Sequence, residues 1–455
     1  MIGSKSSVCS RLRSAVRASW ERTPVALQVM TFGLAVVCGR GNAGDDVRRG
    51  AEIFAADWVP NNPPVRGGDG LGPVYNETSC LACHYQGGPG GAGPTSTNVE
   101  ILTAIATRRN APPPADLHPG FRVSRSIILH RFGVDPEYKY LRYKLLGEDH
   151  LVGMVESIES EIQQIHTRVV SESLKIQLLR GRLKNGLVYS ERNPPPLFGI
   201  GLIDSLPDEI LLSAEKRTFP GFPEIRGHAR RLKDGRLGRF GWKAERPTLR
   251  EFVLAACANE LGLEVPGHHQ AVSPLDPDAK AKGLDLTSEE CNALVAYVKN
   301  LPAPISRNHV AQTTTRDTEA GRRLFESSGC ATCHLPRIGS IDGIYSDMLL
   351  HDMGPALADS GSSYEIIESN SALAAVNPPS NDAGSQEWRT PPLWGFRYSG
   401  PYLHDGRAKN LDEAVAFHDE EGMASAKRFF KLRPEERLHV QMFLRSLAPP
   451  TSPAP

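Results

Sequence analysis

The sequence predicts a mainly α-helical protein with two similar domains. A five-residue pattern, Cys-x-x-Cys-His, occurs twice, at residues 80–84 and 330–334. In each half a helix-forming segment precedes the pattern, and a second such segment follows it and stops at prolines. The same elements in the same order indicate a duplication. The frequent glycines and prolines, 42 and 36 of 455 residues, predict loop-rich insertions.

The repeated pattern is the attachment signature of c-type haem. Its two thiols form thioether bonds with the haem, and the histidine becomes the proximal ligand of the iron. Redox dithiols and zinc sites also use Cys-x-x-Cys, but the adjacent histidine, present twice, favours haem. We therefore expect two covalently bound haem c groups in two cytochrome c-like haem domains. The attachment cysteines are Cys80, Cys83, Cys330 and Cys333, and the proximal ligands are His84 and His334.

The repeat also sets the expected domain boundaries. They are 44–304 for the N-terminal haem domain and 316–450 for the C-terminal one, with a linker at 305–315. Trp242 and His404 occupy matching places, each 7 residues before a leucine that opens an apolar-periodic segment. The N-terminal domain is longer because it contains a charged helical stretch at 138–183, which we interpret as a packing or partner surface.

Residues 1–43 have the pattern of a signal peptide. Arginines precede an apolar run at 25–37, and small residues follow, with Ala43 as the expected cleavage point. An uncleaved anchor is the alternative, although the run is short for a membrane span. Export predicts a periplasmic protein, which agrees with haem attachment outside the cytoplasm.

Charge and the remaining cysteines add little more. Lys+Arg and Asp+Glu each number 52, so no net charge points to a nucleic-acid partner.

Outside the leader and the haem motifs only Cys257 and Cys291 remain. They either pair as a disulfide in an oxidising compartment or stay separate buried thiols.

Several segments resemble the bacterial di-haem c-type oxidoreductases, a family often labelled thiol oxidoreductases. They also resemble, more distantly, the di-haem cytochrome c peroxidases and the di-haem enzyme that matures tryptophan tryptophylquinone. The resemblance covers about residues 49–447 and implies peroxidase-type chemistry. No free Cys-x-x-Cys remains to support thiol chemistry. The segments that carry it are 71–76, 197–204, 239–244, 345–347, 350–355, 388–395 and 402–407.

The distal ligands distinguish an electron-carrying iron from one that binds substrate. His418 lies 14 residues after His404, where the resemblance implies the distal ligand of an electron-transfer haem. We predict that it binds the second iron and gives a bis-histidine, low-spin site. The alternatives are His351, Met353, His404 and Met423.

In the first domain the matching position, 14 residues after Trp242, is Ala256. Alanine cannot bind iron, so we expect an open or exchangeable sixth position on the first haem. A histidine from elsewhere in that domain is the alternative. The candidates are His118, His130, His268 and His269.

The resemblance also implies roles for two further residues. Glu260 corresponds to a distal glutamate and would be the acid–base catalyst of peroxide cleavage; an exposed glutamate at a helix end is the alternative. Trp242 corresponds to the indole between the haems and would relay electrons; a packed core aromatic is the alternative. Phe252 stands where the family usually has a glutamine of the distal pocket.

The expected function is peroxide reduction with electrons from a soluble donor, either a small cytochrome or a copper protein. A pure electron-transfer di-haem cytochrome is the main alternative, and oxidation of a protein or small-molecule partner is another. A calcium ion near Asn76, Ser399 and Pro401 and a second subunit are further expectations.

Overall fold

The computed structural model describes residues 43–61, 67–104, 114–122, 124–146, 183, 187–303, 315–359 and 383–449. The predicted signal peptide, nearly all of the linker and most of the 138–183 insertion lie outside the described residues. The domain boundaries themselves stay a prediction. Among the helices of the described residues, none is long and apolar enough to cross a lipid bilayer.

Helices make up most of the regular structure. They are α1 (Ala43–Ala55), α2 (Cys80–Cys83), α3 (Pro114–Leu117), α4 (Tyr138–Leu146), α5 (Ile200–Asp204), α6 (Asp208–Glu215), α7 (Leu249–Glu260), α8 (Ser288–Lys299), α9 (Thr315–Ser327), α10 (Leu411–Ala416), α11 (Met423–Lys431) and α12 (Pro434–Ser446). The predicted helices before each haem motif are α1 and α9, and the predicted terminal helices are α8 and α12.

Short antiparallel sheets make the fold mixed rather than mainly α. The strands are β1 (Val74–Tyr75), β2 (Val99–Ala104), β3 (Ser126–Ile128), β4 (Phe132–Gly133), β5 (Leu187–Arg192), β6 (Arg337–Ile338), β7 (Ile341–Asp342), β8 (Leu350–Asp352) and β9 (Glu387–Arg389). They pair as β1–β4, β3–β2–β5, β6–β7 and β8–β9. Most have two or three residues, too few to show the alternation that predicts a strand.

The first and last helices of each half cross at a glycine. α1 packs on α8, and α9 packs on α12. A Cβ at Gly50 would lie 2.0 Å from the carbonyl oxygen of Ala293, and one at Gly321 would lie 1.9 Å from that of His439. Only glycine permits so close an approach of two backbones. The two halves therefore share the same helix crossing.

We expect Gly50→Ala to destabilise the protein by about 2 kcal/mol or more, because the added methyl group would push α1 away from α8. Gly44→Ala is the matched control in the same helix, since nothing lies within 4 Å of the added Cβ. The control should change the free energy of unfolding by less than about 1 kcal/mol. Urea unfolding followed by circular dichroism measures both. Equal effects of the two substitutions would contradict the close crossing.

A tight hairpin followed by a capped helix also occurs in both halves. One backbone bridge closes each hairpin: Phe240 with Arg246, and Tyr402 with Ala408. Trp242 and His404 lie in these hairpins, two residues after the bridge begins. The side chain of Thr248 then caps α7, and that of Asn410 caps α10. Each accepts a hydrogen bond from the backbone amide three residues later in the chain. The predicted equivalence of Trp242 and His404 thus has a structural counterpart.

Two hydrophobic clusters fill the helical parts of the molecule. The first joins α1, α7 and α8 around Leu249, Cys257 and Leu294. The second joins α9 and α12 around Phe325 and Phe443. Cys257 and Cys291 are both buried in the first cluster and are free thiols, so the unpaired alternative describes them.

Candidate haem sites

The first attachment motif lies on a short capped helix. Ser79 Oγ accepts a hydrogen bond from Ala82 N at 3.1 Å and so begins α2 at Cys80. His84 follows the helix, and its Nδ1 lies 3.1 Å from the carbonyl oxygen of Gly91. A carbonyl only accepts, so Nδ1 carries the proton and Nε2 is the nitrogen that could bind a metal. The carbonyl oxygen of Pro195 also lies within hydrogen-bonding reach of the ring.

The second motif repeats this arrangement. A 3-10 turn at Cys330–Thr332 follows Gly329, whose φ of 92° favours glycine. His334 Nδ1 lies 3.0 Å from the carbonyl oxygen of Tyr345. Burial lowers the pKa of His84 and His334 to about 4, so both rings are neutral at neutral pH. A neutral imidazole with a free Nε2 is the form that binds iron.

His418 makes the same kind of hydrogen bond as the two proximal histidines, from Nδ1 to a backbone carbonyl. Its Nδ1 donates to the carbonyl oxygen of Ala414 at 2.8 Å, and burial lowers its pKa. The ring thereby satisfies a carbonyl at the end of α10, while the His418 amide donates instead to Val415. His418 and His334 line the same cavity. The structure thus brings together the two histidines predicted to bind the second iron.

The alternative ligands of the second iron are arranged differently. His351 has a carboxylate oxygen at each ring nitrogen, Asp347 Oδ2 at 2.9 Å and Glu421 Oε2 at 2.7 Å. Its lone pairs are therefore occupied by protons. His404 stacks on Trp388 with ring centroids 3.5 Å apart and an interplanar angle of 10°. Met353 also lines the cavity, and it stays an alternative ligand of the second iron.

The cavity around His334 fits a haem. Apolar and aromatic side chains form most of its wall, and Cys330 and Cys333 lie at one side. Trp394 lines it and is 3% exposed, yet among the described residues no acceptor lies within hydrogen-bonding distance of its Nε1. Such an orphaned donor indicates a missing partner. Burial lowers the pKa of Arg389, also in the wall, to about 10, so the guanidinium stays protonated and offers charge to a propionate.

Glu260 lies beside the first attachment motif. It is the last residue of α7, and its Oε2 accepts from Asn76 Nδ2 at 2.6 Å. Asn76 Oδ1 in turn accepts from the amide of Arg131 at 3.0 Å. The carboxylate is near enough to Cys83 to raise the pKa of that thiol, although burial contributes most. Glu260 is half-buried, so it is not the freely exposed helix-end glutamate of the alternative interpretation.

The loop before the first haem motif holds Glu260 in place. Asn76 N donates to the carbonyl oxygen of Glu260 at 2.7 Å, and Gly72 N donates to that of Leu261. A Cβ at Gly72 would lie 2.4 Å from the carbonyl oxygen of Gly262. The segment 71–76 and the end of α7 at Glu260 are therefore in direct contact. The segment holds the Glu260 backbone through its amides and the carboxylate through the Asn76 side chain.

The histidines considered for the first iron divide into two groups. His130 is buried and its Nε2 lies 2.8 Å from the carbonyl oxygen of Asn259, next to Glu260. His118 is close enough to lower the pKa of His130, which burial brings to about 4. His269 is 81% exposed and pairs with Glu264. His268 lies in the same turn. Only His130 and His118 have buried rings.

Ala256 differs from His418 in its surroundings. It lies inside α7, which has 12 residues, whereas α10 has 6 and ends before His418. The positions 14 residues after Trp242 and His404 therefore differ in local structure: Ala256 is inside a helix, and His418 follows the end of one. The absence of a ligating side chain at Ala256 is a fact of the sequence, but the two positions are not structurally equivalent.

Trp242 lies in the wall of the second haem site. Its indole lines the cavity of His334, and its Nε1 donates to the carbonyl oxygen of Asn193 at 2.8 Å. The amide of Asn193 donates to the carbonyl oxygen of His404 at 2.7 Å. Gly91, the partner of His84, is followed by Ala92, which also lines this cavity. The loop that contacts His84 thus continues directly into the wall of the second cavity.

The predicted calcium site gains no support. The oxygen of the Asn76 amide accepts from Arg131 N, and its nitrogen donates to Glu260. Ser399 Oγ donates to the carbonyl oxygen of Gly395 at 2.8 Å. The side chains of Asn76 and Ser399 belong to separate hydrogen-bond networks, and in these contacts they share no carboxylate. A hard cation needs several oxygens in one place.

A family comparison decides the class. Residues 151–447 match the family described as "Di-haem oxidoreductase, putative peroxidase". The chain belongs to this family. The family implies haem c as the cofactor. This agrees with the two attachment motifs and with the neutral imidazole rings of His84 and His334.

This di-haem oxidoreductase is also similar to characterised relatives at low identity. It is 26% identical over 137 residues to the methylamine utilization protein MauG of Methylorubrum extorquens, and 28% identical over 149 residues to the cytochrome-c peroxidase IdrP2 of a Pseudomonas strain. These matches cover 29% and 30% of this chain and only 34% and 40% of the relatives. A crystal structure of a MauG-like protein associated with microbial copper homeostasis is 16% identical, with a TM-score of 0.28 over 54% of this chain and 90% of that one.

Sequence reasoning missed three features of the di-haem oxidoreductase sites. Asn193 orients Trp242 through a backbone carbonyl, which any residue type supplies, so no sequence signal marks it. Trp394 lies in the quoted segment 388–395 and was recognisable only as part of the family pattern. Glu421 follows His418 by three residues in an acidic run, and nothing in that run distinguishes it from exposed Glu420.

Proposed function

We propose that this di-haem oxidoreductase reduces peroxide at its first haem with electrons that enter at the second. The observation that carries the proposal is the arrangement of His418. Its Nε2 is left free by the bond from Nδ1 to Ala414, and it lines the cavity of His334. Two imidazoles on one iron give a site that carries electrons and binds no substrate. The reaction is therefore assigned to the other haem.

The first site has the groups that peroxide cleavage needs. Haem bound by His84 would supply an iron that accepts an oxygen ligand and exchanges electrons. Glu260 would take a proton from one peroxide oxygen and return it to the leaving oxygen. Asn76 fixes Glu260 Oε2 by its 2.6 Å hydrogen bond and so holds the carboxylate beside the first attachment motif.

The rest of the proposal concerns the partners and the place of action. Electrons would come from a soluble donor, a small cytochrome or a copper protein, and would pass Trp242 between the sites. The apolar run in the leader and the attachment of haem c outside the cytoplasm favour the periplasm. A second subunit remains compatible with this scheme and carries no part of it.

Electron paramagnetic resonance of the holoprotein tests the proposal. We expect the oxidised protein to show one low-spin and one high-spin ferric haem, and the half-reduced form to show only the high-spin ferric signal of the first haem, because a low-spin ferrous haem gives no signal. Hydrogen peroxide should abolish the high-spin signal within the mixing time, while a reduced donor is consumed in a ratio of two electrons per peroxide. Two low-spin signals that peroxide leaves unchanged in every redox state would contradict the proposal.

A pure electron-transfer cytochrome is the second candidate, and one observation favours it. His130 is buried beside the Glu260 segment and has a ring neutral at neutral pH. If its Nδ1 bound the first iron permanently, both haems would be six-coordinate. His130→Ala separates the two cases. It leaves the spectrum of a peroxidase with an open iron unchanged, and it converts the first haem of an electron-transfer cytochrome from low-spin to high-spin.

Trp242→Phe should slow electron transfer from the second haem to the first and leave peroxide binding at the first haem unchanged. The phenyl ring keeps the packing but loses the indole and its hydrogen bond to Asn193. Stopped-flow reduction of the second haem, followed by the spectrum of the first, measures the rate. Trp58→Phe, a buried tryptophan of the first core, is the control. The relay role fails if both substitutions leave the rate unchanged.

A further inference from the structure

A buried imidazole between two carboxylates lies against the second haem site. His351 is on β8, and its side chain is 3% exposed. Its Nε2 lies 2.9 Å from Asp347 Oδ2 and its Nδ1 lies 2.7 Å from Glu421 Oε2. Both nitrogens face acceptors, so both carry protons and the ring is an imidazolium. Burial alone would lower the pKa of His351, but Asp347 raises it well above the usual value.

Backbone groups from separate segments hold the two carboxylates. Glu421 accepts from the amide of Arg226 at 2.9 Å and from that of Asp352 at 3.2 Å, and its own pKa is lowered by His351 despite burial. Asp347 accepts from the amide of Leu349 at 3.0 Å. Charge-assisted hydrogen bonds of this kind are the strong ones. The cluster therefore fixes the loop at Arg226, strand β8 and the segment after α10 to one another.

Glu421 belongs to the same short segment as His418. A 3-10 turn at Glu420–Gly422 follows His418, and Asp419 caps it. A Cβ on Gly422 would lie 2.8 Å from the Cβ of His418, so the turn packs directly on the histidine. A displacement of Glu421 would therefore move His418 as well.

The cluster also contacts the attachment side of the site. Cys333 Sγ lies 3.6 Å from His351 Nδ1. Cys333, Asp347 and His351 alone would suit a small metal ion. However, a Cys333 sulfur bound to haem as a thioether is no longer a thiolate ligand. Both nitrogens of His351 are also already occupied by carboxylates. The contact would thus link the cluster to the side of the site where Cys333 holds the haem.

We propose that Asp347, His351 and Glu421 form a charged clamp that positions His418 over the second haem. His351 is then a positioning residue and not a ligand. The clamp joins the attachment cysteine on one side of the site to the distal loop on the other. This inference rests on the proposed function, because it takes His418 as the distal ligand.

The rate at which cyanide displaces His418 from the ferric second haem tests the clamp. Glu421→Ala removes the bond to His351 without touching either proximal histidine or His418. We expect cyanide binding to the second haem to become about 10-fold faster or more, as loss of one charge-assisted hydrogen bond implies. Glu421→Gln keeps an acceptor for His351 but loses the charge, so its rate should lie between those of the parent protein and Glu421→Ala. Glu420→Ala is the matched control, since Glu420 is adjacent and exposed.

The same experiment separates failure of the clamp from failure of the ligand assignment. The slow phase of cyanide binding is assigned to the second haem by its loss in His418→Ala. If that phase disappears in His418→Ala but is equally slow in Glu421→Ala and Glu420→Ala, the clamp is wrong and His418 still binds iron. If His418→Ala itself leaves the slow phase unchanged, the ligand assignment underlying the proposed function fails first.

Discussion

Glu260→Gln should lower peroxide turnover by about 10²- to 10⁴-fold, the usual contribution of a general acid–base residue. An amide cannot take up and return a proton, but it keeps the size of the side chain and its contact with Asn76. Steady-state oxidation of a reduced donor by hydrogen peroxide measures the effect. Both haems should stay attached, with unchanged spectra in the absence of peroxide.

Glu77→Gln is the matched control for this prediction. Glu77 is also close to Cys83, but it is paired with Arg131 at 3.1 Å, and burial raises its pKa. Its loss should change stability by roughly 1 kcal/mol or less and leave turnover within a few-fold. Equal turnover in the Glu260 variant and the parent would remove Glu260 from the mechanism. Equal losses in both variants would indicate that the local charge matters and not one proton carrier.

The parts that could be predicted from the sequence are local. The two Cys-x-x-Cys-His motifs, the helices that precede them and the capped terminal helices each occupy one short stretch of chain. The capping box of Thr287 and Glu290 at the start of α8 is an example, because its two partners are three residues apart. Such features depend on residue type and spacing alone.

The parts that could not be predicted depend on long-range partners. Trp242 and Asn193 are 49 residues apart, and His351 and Glu421 are 70 apart. One side of the first contact is a backbone carbonyl, which leaves no mark in the sequence. The 14-residue count that relates Ala256 to His418 also says nothing of local structure. α10 ends at Ala416, before His418, whereas Ala256 lies inside α7.

His418→Ala should convert the second haem from low-spin to high-spin. The substitution removes the imidazole whose Nε2 faces the cavity of His334, and a methyl group cannot bind iron. Electron paramagnetic resonance and the visible spectrum of the oxidised holoprotein measure the spin state. The first haem should be unaffected, so the number of high-spin haems should rise from one to two.

Two controls make the result of His418→Ala decisive. His439→Ala removes a partly exposed histidine from α12 in the same half and should leave both spectra unchanged. Met353→Ala removes another cavity side chain that is able to bind iron. If the second haem stays low-spin in His418→Ala but becomes high-spin in Met353→Ala, methionine is the ligand. A methionine ligand would raise the reduction potential of the second haem. To accept electrons from such a second haem, the first haem would need a higher reduction potential than it needs when the second haem has two histidine ligands.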